Sequence, residues 1–402
     1  MTLSSPIVRG ALVAAVLVTT SYAASTSPRA QSPSPQVVKV VGDSHKLAMR
    51  SDGSVIGWGQ FLHAQLGPVS TISATPTRLG TTQPVRIELP GKAIDVATRR
   101  NTSYALLEDG SVWAWGDGRE GDLGTGSDLK LPLLATSTKS MEYRGAERPV
   151  RVAVSGVKKL VAGDVGVFAI LEDGTVRTWP RRGAASPSTP VAIDGLRDVM
   201  DVAPAWGHAL ALTKDGRVLA WGNNRYGALG REPKTEGFTE QPAAVTDMTG
   251  VIAIAAAGDA SMAVKSDGTV WVWGSNGQGQ FGNGDRTSHP SAGTQSVPQR
   301  VPGVTNVVAI SANGRHVMVR LKDGTLRAWG NTDWGQIGAG VSGTFQLSPV
   351  TPKIANVRSI FAVGNCTFAV KTDGTFWGWG GGSAGEWPLS ANTKLPVLIE
   401  IP

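Results

Sequence analysis

The chain has 402 residues, a formal net charge of +7 and a single cysteine, Cys366. One cysteine excludes an intramolecular disulfide framework, and a chain of this length can bury a core large enough to fold without one. The basic residues are scattered rather than grouped, which favours a soluble, positively charged surface over a nucleic-acid interface.

The first residues have the pattern of a secretory signal peptide. Arg9 precedes an apolar run over residues 11–18, and the small residues Ser21 and Ala23 predict cleavage near Ala23. The run is too short to span a bilayer as a helix, and an uncleaved anchor is the alternative interpretation. We therefore expect a signal peptide over residues 1–23, a disordered Ser/Pro-rich spacer over residues 24–35, and a secreted or periplasmic mature chain.

An internal repeat follows the spacer and predicts the fold. Asp-Gly with a tryptophan six residues after the aspartate recurs seven times. Each Asp-Gly is expected to supply the two positive-φ residues of a tight hairpin turn between alternating strands. The tryptophans are interpreted as packing residues of the repeat. They are Trp58, Trp115, Trp179, Trp221, Trp273, Trp329 and Trp379.

Two more strand-like runs precede each hairpin, for example residues 84–87 and 93–96, so that each unit has four short strands. Residues 395–401 have the Pro-Val pattern that opens the other units, but no hairpin follows them. We expect this segment to complete the first blade and so close the ring, leaving no sheet edge exposed at the joint. The sequence predicts an all-β fold, a seven-bladed β-propeller of four-stranded blades over residues 36–402.

The repeat can be written Gly-x-x-His-small-x-Ala-Leu, then Asp-Gly-x-Val-x-x-Trp-Gly, then a loop that ends Gly-Gln-Leu-Gly. Residues 221–230, 273–282 and 329–338 follow the second half of this pattern closely. In this form it resembles the regulator of chromosome condensation repeat family over about residues 36–402. Together with the predicted export, the chain resembles an exported bacterial member. The resemblance implies a seven-bladed propeller that acts through one of its faces.

The sequence contains no motif that points to catalysis. Gly277-x-Gly-x-x-Gly282 matches a dinucleotide-binding pattern, but no helix follows it, and its glycines align with turns in other units. The histidines lack metal-ligand spacing, and each Asp-Gly turn has one carboxylate where a calcium loop needs several oxygen ligands. Those at positions 45, 208 and 316 share one repeat position and are expected to stabilise turns. We expect no catalytic residue, no cofactor and no metal, with a propeller enzyme built from several loops as the alternative.

Alternating strand direction places two sets of loops on one face of the predicted propeller. Variable loops on a rigid scaffold are where binding residues usually lie, and interface hot spots are enriched in Trp, Tyr and Arg. For Trp206 and Trp334, packing against neighbouring loops is the alternative to binding. The candidate binding residues on this face are Arg99, Arg100, Trp206, Arg225, Tyr226, Arg315 and Trp334.

Three functional hypotheses follow. The first is an exported, monomeric, non-catalytic scaffold that binds a protein or an envelope polymer, with no nucleic-acid partner and no membrane span. The second is a secreted enzyme inhibitor similar to the type II β-lactamase inhibitory protein, an exported relative with an aromatic-rich loop face. The third is a carbohydrate-processing or lyase enzyme on the propeller. The nucleotide-exchange or chromatin-adaptor role of the family's eukaryotic members is a further alternative, which the predicted export disfavours.

Overall fold

The computed structural model describes residues 34–68, 81, 83–126, 132–134, 144–179, 188–232, 238–286, 294–341, 343–381, 389 and 393–401. The predicted signal peptide, residues 1–23, and the spacer as far as residue 33 lie outside these ranges. The described part of the chain forms seven four-stranded antiparallel sheets, and these are the blades of a β-propeller. The predicted fold class is confirmed.

The strands of the first four blades are β1 Val37–Gly42, β2 His45–Arg50, β3 Val55–Gly59 and β4 Val85–Ile87; β5 Ala93–Arg99, β6 Thr102–Leu107, β7 Val112–Asp117 and β8 Gly145–Arg151; β9 Val157–Gly163, β10 Gly166–Leu171, β11 Val176–Trp179 and β12 Val191–Ala192; β13 Val199–Pro204, β14 His208–Thr213, β15 Val218–Asn223 and β16 Phe238–Ala244. The last three blades contain β17 Val251–Ala257, β18 Ala260–Lys265, β19 Val270–Ser275 and β20 Thr294–Arg300; β21 Val307–Asn313, β22 His316–Leu321, β23 Leu326–Asn331 and β24 Phe345–Val350; β25 Val357–Val363, β26 Cys366–Lys371, β27 Phe376–Gly380 and β28 Thr393–Leu398.

The Asp-Gly turns join the second and third strands of each blade, but their geometry differs from the prediction. At the turn after β6, Gly110 has a φ of 77°, whereas Asp109 is not among the positive-φ residues. The Gly110 N–H donates to the carbonyl of Leu107, and the Asp109 carboxylate accepts from the Ser111 N–H at 2.9 Å. This is a type I turn followed by a left-handed glycine, so only the glycine needs positive φ and the aspartate fixes the turn through its side chain.

The carboxyl-terminal strand belongs to the seventh blade. In β28, Leu398 pairs with Trp377 of β27, while the first blade obtains its fourth strand from β4, where Ile87 pairs with Val55. The prediction that residues 395–401 complete the first blade is therefore wrong. The repeat spacing fixes the length of a unit but not the strand at which it begins, and a Pro-Val strand follows one hairpin as regularly as it precedes the next.

The ring is closed by side-chain packing instead of strand exchange. Val37 and Trp58 of the first blade form one buried cluster with Phe368 and Ile399 of the seventh. The ring centroids of Trp58 and Phe368 are 5.8 Å apart in an edge-to-face arrangement. Each of the other six neighbouring blade pairs has a hydrophobic cluster of the same kind, which contains the repeat tryptophan of the second blade in the pair.

The innermost strand of every blade carries one β-bulge near its first residue, where it pairs with the second strand. A bulge leaves one residue unpaired and re-aims its side chain. Five of the seven bulged residues are large apolar side chains that are 38% to 56% exposed. The bulged residues are Val38, Ile94, Lys158, Met200, Ile252, Val308 and Arg358. Apolar side chains therefore rim the Asp-Gly end of the inner strands.

A proline lies in, or immediately before, the outermost strand of every blade. Proline has no N–H to donate to a further strand and is tolerated at sheet edges. In the second, fourth, fifth, sixth and seventh blades, the outer strand also has a bulge where it pairs with the third strand. The seven prolines are Pro84, Pro149, Pro190, Pro242, Pro298, Pro349 and Pro396.

Candidate functional site

We call the end of the propeller opposite the Asp-Gly turns the loop face. It carries the turns between the first and second strands and the loops between the third and fourth. Backbone hydrogen bonds join the two sets, as between the Asp117 N–H and the Asn101 carbonyl, or the Asn331 N–H and the Arg315 carbonyl. The predicted grouping of these loops on one face agrees with the strand order of the blades.

One residue of each inner turn, two positions before the repeat histidine position, borders the central channel. We call these seven residues the mouth ring; in blade order they are Asp43, Arg100, Asp164, Trp206, Gly258, Gly314 and Gly364. All except Gly364 line the channel cavity described below. The ring is strongly asymmetric, because the first three blades contribute charges, the fourth an indole and the last three glycines.

Trp206 lies across the mouth of the channel. A β-carbon on Gly258 or on Gly314 would stand 3.6 Å from the indole, so the indole of the fourth blade extends over the turns of the fifth and sixth. The side chain is nevertheless 48% exposed. Gly258 and Gly314 thus leave the space that the indole occupies. The sequence signal for this space is the glycine at the same repeat position in three successive units, at 258, 314 and 364.

Arg99 and Arg100 are adjacent in sequence but lie in different environments. Arg99 is 6% exposed, forms an ion pair with Asp122, and donates to the Asp164 backbone carbonyl at 3.1 Å. Arg100 is exposed, has a φ of 48°, and forms an ion pair with Glu120. Arg99 therefore supports the second and third blades from inside, and only Arg100 is available at the surface.

The other candidate residues lie around the outer part of the loop face. Arg225 is exposed, and its guanidinium carbon stands 5.5 Å from the ring centroid of Tyr226. Arg315 is exposed. Trp334 is partly buried, and a β-carbon on Gly381 of the seventh blade would clash with its ring atom Cε3 at 2.7 Å. Of the two loop-face tryptophans, Trp206 is thus the one that offers the larger exposed surface.

Beneath the mouth ring is a cavity of about 440 Å³ that all seven inner strands line. This volume lies within the usual range for small-ligand sites, about 300–1,000 Å³. Deeper in the channel, Lys39 is ion-paired with Asp95, and Lys159 with Asp201 at 2.7 Å. The corresponding residues of the fifth and sixth blades are Ala253 and Ala309. The charged residues of the channel therefore lie on the first to fourth blades, and the first three of these blades also contribute the charges of the mouth ring.

Two carboxyl groups on this face have raised pKa values. Burial raises the pKa of Asp122 to about 6, against the opposing effect of Arg99. Burial also raises the pKa of Asp259, and the nearby charge of Arg225 opposes it. Both groups favour the neutral form more than a surface carboxyl does, because desolvation penalises the charge.

The repeat histidines connect neighbouring blades, a role that the sequence analysis did not predict. His208 of the fourth blade is buried, and its Nε2 lies 2.8 Å from the Ser261 hydroxyl of the fifth. The Ser261 hydroxyl donates to the Ala228 carbonyl at 2.7 Å, so His208 is the donor in the first bond. The Trp273 indole N–H donates to the same carbonyl at 2.9 Å. We call this chain of bonds a histidine link.

Two further histidine links have the same geometry. His45 and Ser103 join the first and second blades, with 2.8 Å between Nε2 and Oγ. His316 and Thr367 join the sixth and seventh, with 2.9 Å between Nε2 and Oγ1. The Ser103 hydroxyl and the Trp115 indole N–H both donate to the Gln65 carbonyl. The Thr367 hydroxyl and the Trp379 indole N–H both donate to the Gln336 carbonyl. The signal that could have revealed the links is a Ser or Thr in the next unit whenever a unit has the histidine.

The seven repeat tryptophans are all buried, at 6% exposure or less. Among the described residues, no three His, Cys, Asp or Glu side chains are grouped as a metal site requires. No helix in the part of the chain that the structure describes is long and apolar enough to cross a membrane. The lone cysteine, Cys366, is buried, and its thiol donates to the Gly381 carbonyl at 3.3 Å.

Two family models of the regulator of chromosome condensation (RCC1) repeat match the chain, one over residues 267–320 and the other over residues 206–228 and 251–280. The ultraviolet-B receptor UVR8 of Arabidopsis thaliana is 28% identical over 328 residues, which cover 77% of this chain and 68% of the receptor. The human E3 ubiquitin-protein ligase HERC2 is 30% identical over 322 residues, which cover 77% of this chain but 6% of the ligase.

Solved structures extend the likeness of fold to nearly the whole chain. Yeast RCC1 (Prp20), solved bound to Kap60, superposes with a TM-score of 0.71 at 21% identity and covers 93% of this chain and 90% of its own. Prp20p from Saccharomyces cerevisiae, solved in a study of its binding to Gsp1p and histones, gives a TM-score of 0.69 at 22% identity, covering 92% and 87%. The chain therefore matches the RCC1 repeat in its fourth to sixth blades, and its seven blades have the fold of RCC1 itself.

Proposed function

We propose that this chain is an exported, non-catalytic scaffold that binds a protein partner through the loop face, with Trp206 at the centre of the contact. Export is inferred from the signal-peptide pattern of residues 1–23. The absence of catalysis is inferred from the sequence, which offers no nucleophile or acid-base motif.

Trp206 carries this proposal. A tryptophan that is half exposed although it lies over two neighbouring turns presents one large, rigid apolar surface to the solvent. Interface hot spots are enriched in Trp, Tyr and Arg and cluster near the centre of the contact. Arg100, Arg225 and Arg315 are also exposed on the loop face. The loop face therefore offers one aromatic anchor and several exposed arginine side chains.

The similar proteins support binding to a protein rather than to an envelope polymer. Yeast RCC1 was solved with Kap60 bound, and the binding of Prp20p to Gsp1p and histones has been examined. Those partners belong to those proteins, and 21% to 22% identity supports only the shared fold. Two observations support a protein partner for this chain: the partners named for the proteins of the same fold are themselves proteins, and the loop face carries an exposed aromatic anchor.

Photo-crosslinking tests the site. A crosslinking amino acid at position 206 is compared with the same residue at position 214, an exposed position in the Asp-Gly turn of the same blade. We expect an adduct with one partner from position 206 alone. Unlabelled wild-type chain should compete the adduct away, whereas a W206A/R315A chain with an unchanged melting temperature should not. Equal adducts from both positions, or equal competition by the variant, would overturn the assignment of the face.

The inferred export has a separate test. The full chain is expressed in its own organism, and the intact mass of the recovered protein is measured. We expect a mature chain that begins near residue 24, recovered from the periplasm or the medium. A chain that keeps residues 1–23 and stays in the cytoplasm would contradict this part of the proposal without affecting the binding face.

A further inference from the structure

A buried ion pair between Arg99 and Asp122 distinguishes the second unit from the others. The residue before the mouth ring is Arg99 in this unit, and it is Gly, Ala, Asn or Val in the other six. Where the second unit has Asp122, the first, fifth and sixth units have a glutamine and the fourth has Ala228. Both members of the pair therefore depart from the repeat, and they do so in the same unit.

The glutamines at this position stabilise their own loops. The Oε1 atoms of Gln65, Gln280 and Gln336 accept the N–H of the residue two positions earlier, at 2.8 to 3.0 Å. The Asp122 carboxylate contacts Arg99 instead, which is its sole partner among the described residues. The two side chains are only 6% and 5% exposed. Because an acid replaces an amide, this contact depends on a charge that a proton can remove.

Arg99 connects this carboxylate to the third and fourth blades. Its guanidinium donates to the Asp164 backbone carbonyl at 3.1 Å. The N–H of the next residue, Val165, donates to the Ala205 carbonyl at 3.3 Å, and Trp206 follows directly. The Arg99 Nε atom is buried without a hydrogen-bond partner among the described residues, so the ion pair and the carbonyl bond are the contacts that hold the guanidinium.

The Asp122 carboxylate has access to solvent protons although it is buried. It lines a pocket of about 320 Å³ that the exposed Arg100 and Glu120 also line. Burial raises the pKa of Asp122 to about 6, Glu120 and Asp117 act in the same direction, and Arg99 opposes them. Four further ionisable residues lie around the pair: Arg119 in the same pocket, Tyr104, whose hydroxyl donates to the Asp122 carbonyl, His63, whose Nε2 lies 3.8 Å from the Asp117 carboxylate, and Asp164.

We propose that the Arg99–Asp122 pair is a pH-controlled lock of the loop face, which holds the inner turn of the third blade at neutral pH and releases it in mild acid. When Asp122 takes up a proton, Arg99 keeps its charge, because arginine is not deprotonated in proteins. A buried cation without its counter-charge is costly, so the guanidinium moves toward water and its bond to the Asp164 carbonyl breaks.

The turn beside Trp206 then has two arrangements, and a ligand that prefers one of them binds in a pH-dependent manner. This inference goes beyond the proposed function and concerns the free chain. Its failure would leave the crosslinking result at position 206 unaffected.

Hydrogen exchange of the free chain, measured by mass spectrometry and corrected for the intrinsic rate at each pH, tests the lock. The peptide over the third-blade turn, residues 163–166, is compared with the peptide over the equivalent seventh-blade turn, residues 363–366, at pH 7.5 and pH 5. We expect the protection of the third-blade turn to fall about tenfold more than that of the seventh-blade turn at pH 5. Global destabilisation by acid would affect both turns alike.

The double variant R99A/D122Q gives the second unit the two residues that the fifth unit has, Ala257 and Gln280. It should fold and lose the pH response of the third-blade turn. H63Q and D259N remove two other titratable groups of the loop face and should keep the response. Equal changes in the two turns of the wild type overturn the proposal without any variant. A response that survives in R99A/D122Q, or is lost in H63Q or D259N, also overturns it.

Discussion

The junctions between blades fall into two kinds, three with a histidine link and four without. At the linked junctions, His45, His208 and His316 meet Ser103, Ser261 and Thr367 of the next blade. At the others, the two positions are Thr102 and Val167, Gly166 and Ala209, Ala260 and Val317, and Cys366 and Lys46. No unit has the histidine without a hydroxyl opposite it. A buried imidazole is costly without its hydrogen-bond partner, so the two halves occur together or not at all.

The tryptophan bond is less restricted than the histidine link. Trp179 at the second junction and Trp329 at the fifth donate their indole N–H to the carbonyls of Asp122 and Gln280, at 3.0 and 2.7 Å, although neither junction has the link. The tryptophan bond is therefore present at all three linked junctions and at two unlinked ones, and the histidine link adds a second donor to the same carbonyl. At a linked junction one carbonyl thus accepts two hydrogen bonds, from the indole N–H and from the Ser or Thr hydroxyl. At the second and fifth junctions the carbonyl accepts the indole bond without a histidine link.

Acidification should produce the largest effect. Burial lowers the pKa of His45 to about 3 and those of His208 and His316 to about 4. These groups are neutral when folded and titrate near pH 6.5 when unfolded, so stability is full above pH 6.5 and falls as the pH drops toward 4. At pH 5 the loss is about 2 kcal/mol per histidine. The raised pKa of Asp122 acts in the opposite direction between pH 6 and 4.

The measurement is denaturant unfolding of the wild type and of a variant with all three histidines replaced by leucine, at pH 7 and pH 5. The wild type should lose much more stability than the variant over this interval. Since Asp122 is present in both, its contribution cancels in the difference. Parallel losses in the two proteins would show that the links do not control the acid response.

Truncating a repeat tryptophan comes next. W273A and W329A should each cost about 3–5 kcal/mol, because both remove a fully buried indole. In W273A the Ala228 carbonyl keeps its bond from Ser261, whereas in W329A the Gln280 carbonyl loses the indole donor. Urea unfolding should therefore show W329A to be the more damaging by about 1 kcal/mol. The reverse order would break the comparison between the junctions.

Removing one half of a link is expected to cost less. S261A leaves the buried His208 without its acceptor and should destabilise by about 1–3 kcal/mol. The double variant H208L/S261A should be less destabilised than the sum of the single variants, because the orphaned imidazole is gone. Additivity within error in this cycle would show that the observed 2.8 Å contact contributes no coupling.

The smallest effect on stability is expected on the loop face. W206A, R100A and R315A remove exposed side chains and should each change the free energy of unfolding by about 0.5 kcal/mol or less. R99A is the matched contrast, because it leaves the buried Asp122 without its cation and should be strongly destabilising. If R99A and R100A behave alike in thermal melts, the assignment of Arg99 to the interior is wrong.

The sequence predicted the number of blades because Asp-Gly and tryptophan recur at a fixed distance, and that distance reflects one hairpin and its buried indole. It did not predict the boundaries of the blades, because a strand that follows one hairpin and precedes the next fits either unit. The pairing of Leu398 with Trp377 assigns the last strand to the seventh blade, and the repeat distance does not determine this pairing.

The candidate face was predictable in outline, since strand alternation assigns each loop to an end. Its details were not. Arg99 and Arg100 look equivalent in sequence, and only the position of Asp122, which lies in another loop, brings one of them inside. Trp206 was found as an exposed tryptophan, but its position over Gly258 and Gly314 depends on how three blades meet around the channel.

The seven prolines of the outer strands bear on how the molecule behaves at high concentration. An unprotected outer strand is a template on which a strand of another molecule can add, and such growth leads to aggregation. Here each of the seven edges carries a residue that cannot donate the next bond, and the bulges bend the outer strands further. In the described part of the chain, the outer strands are therefore protected against edge-to-edge pairing with the sheets of a second copy.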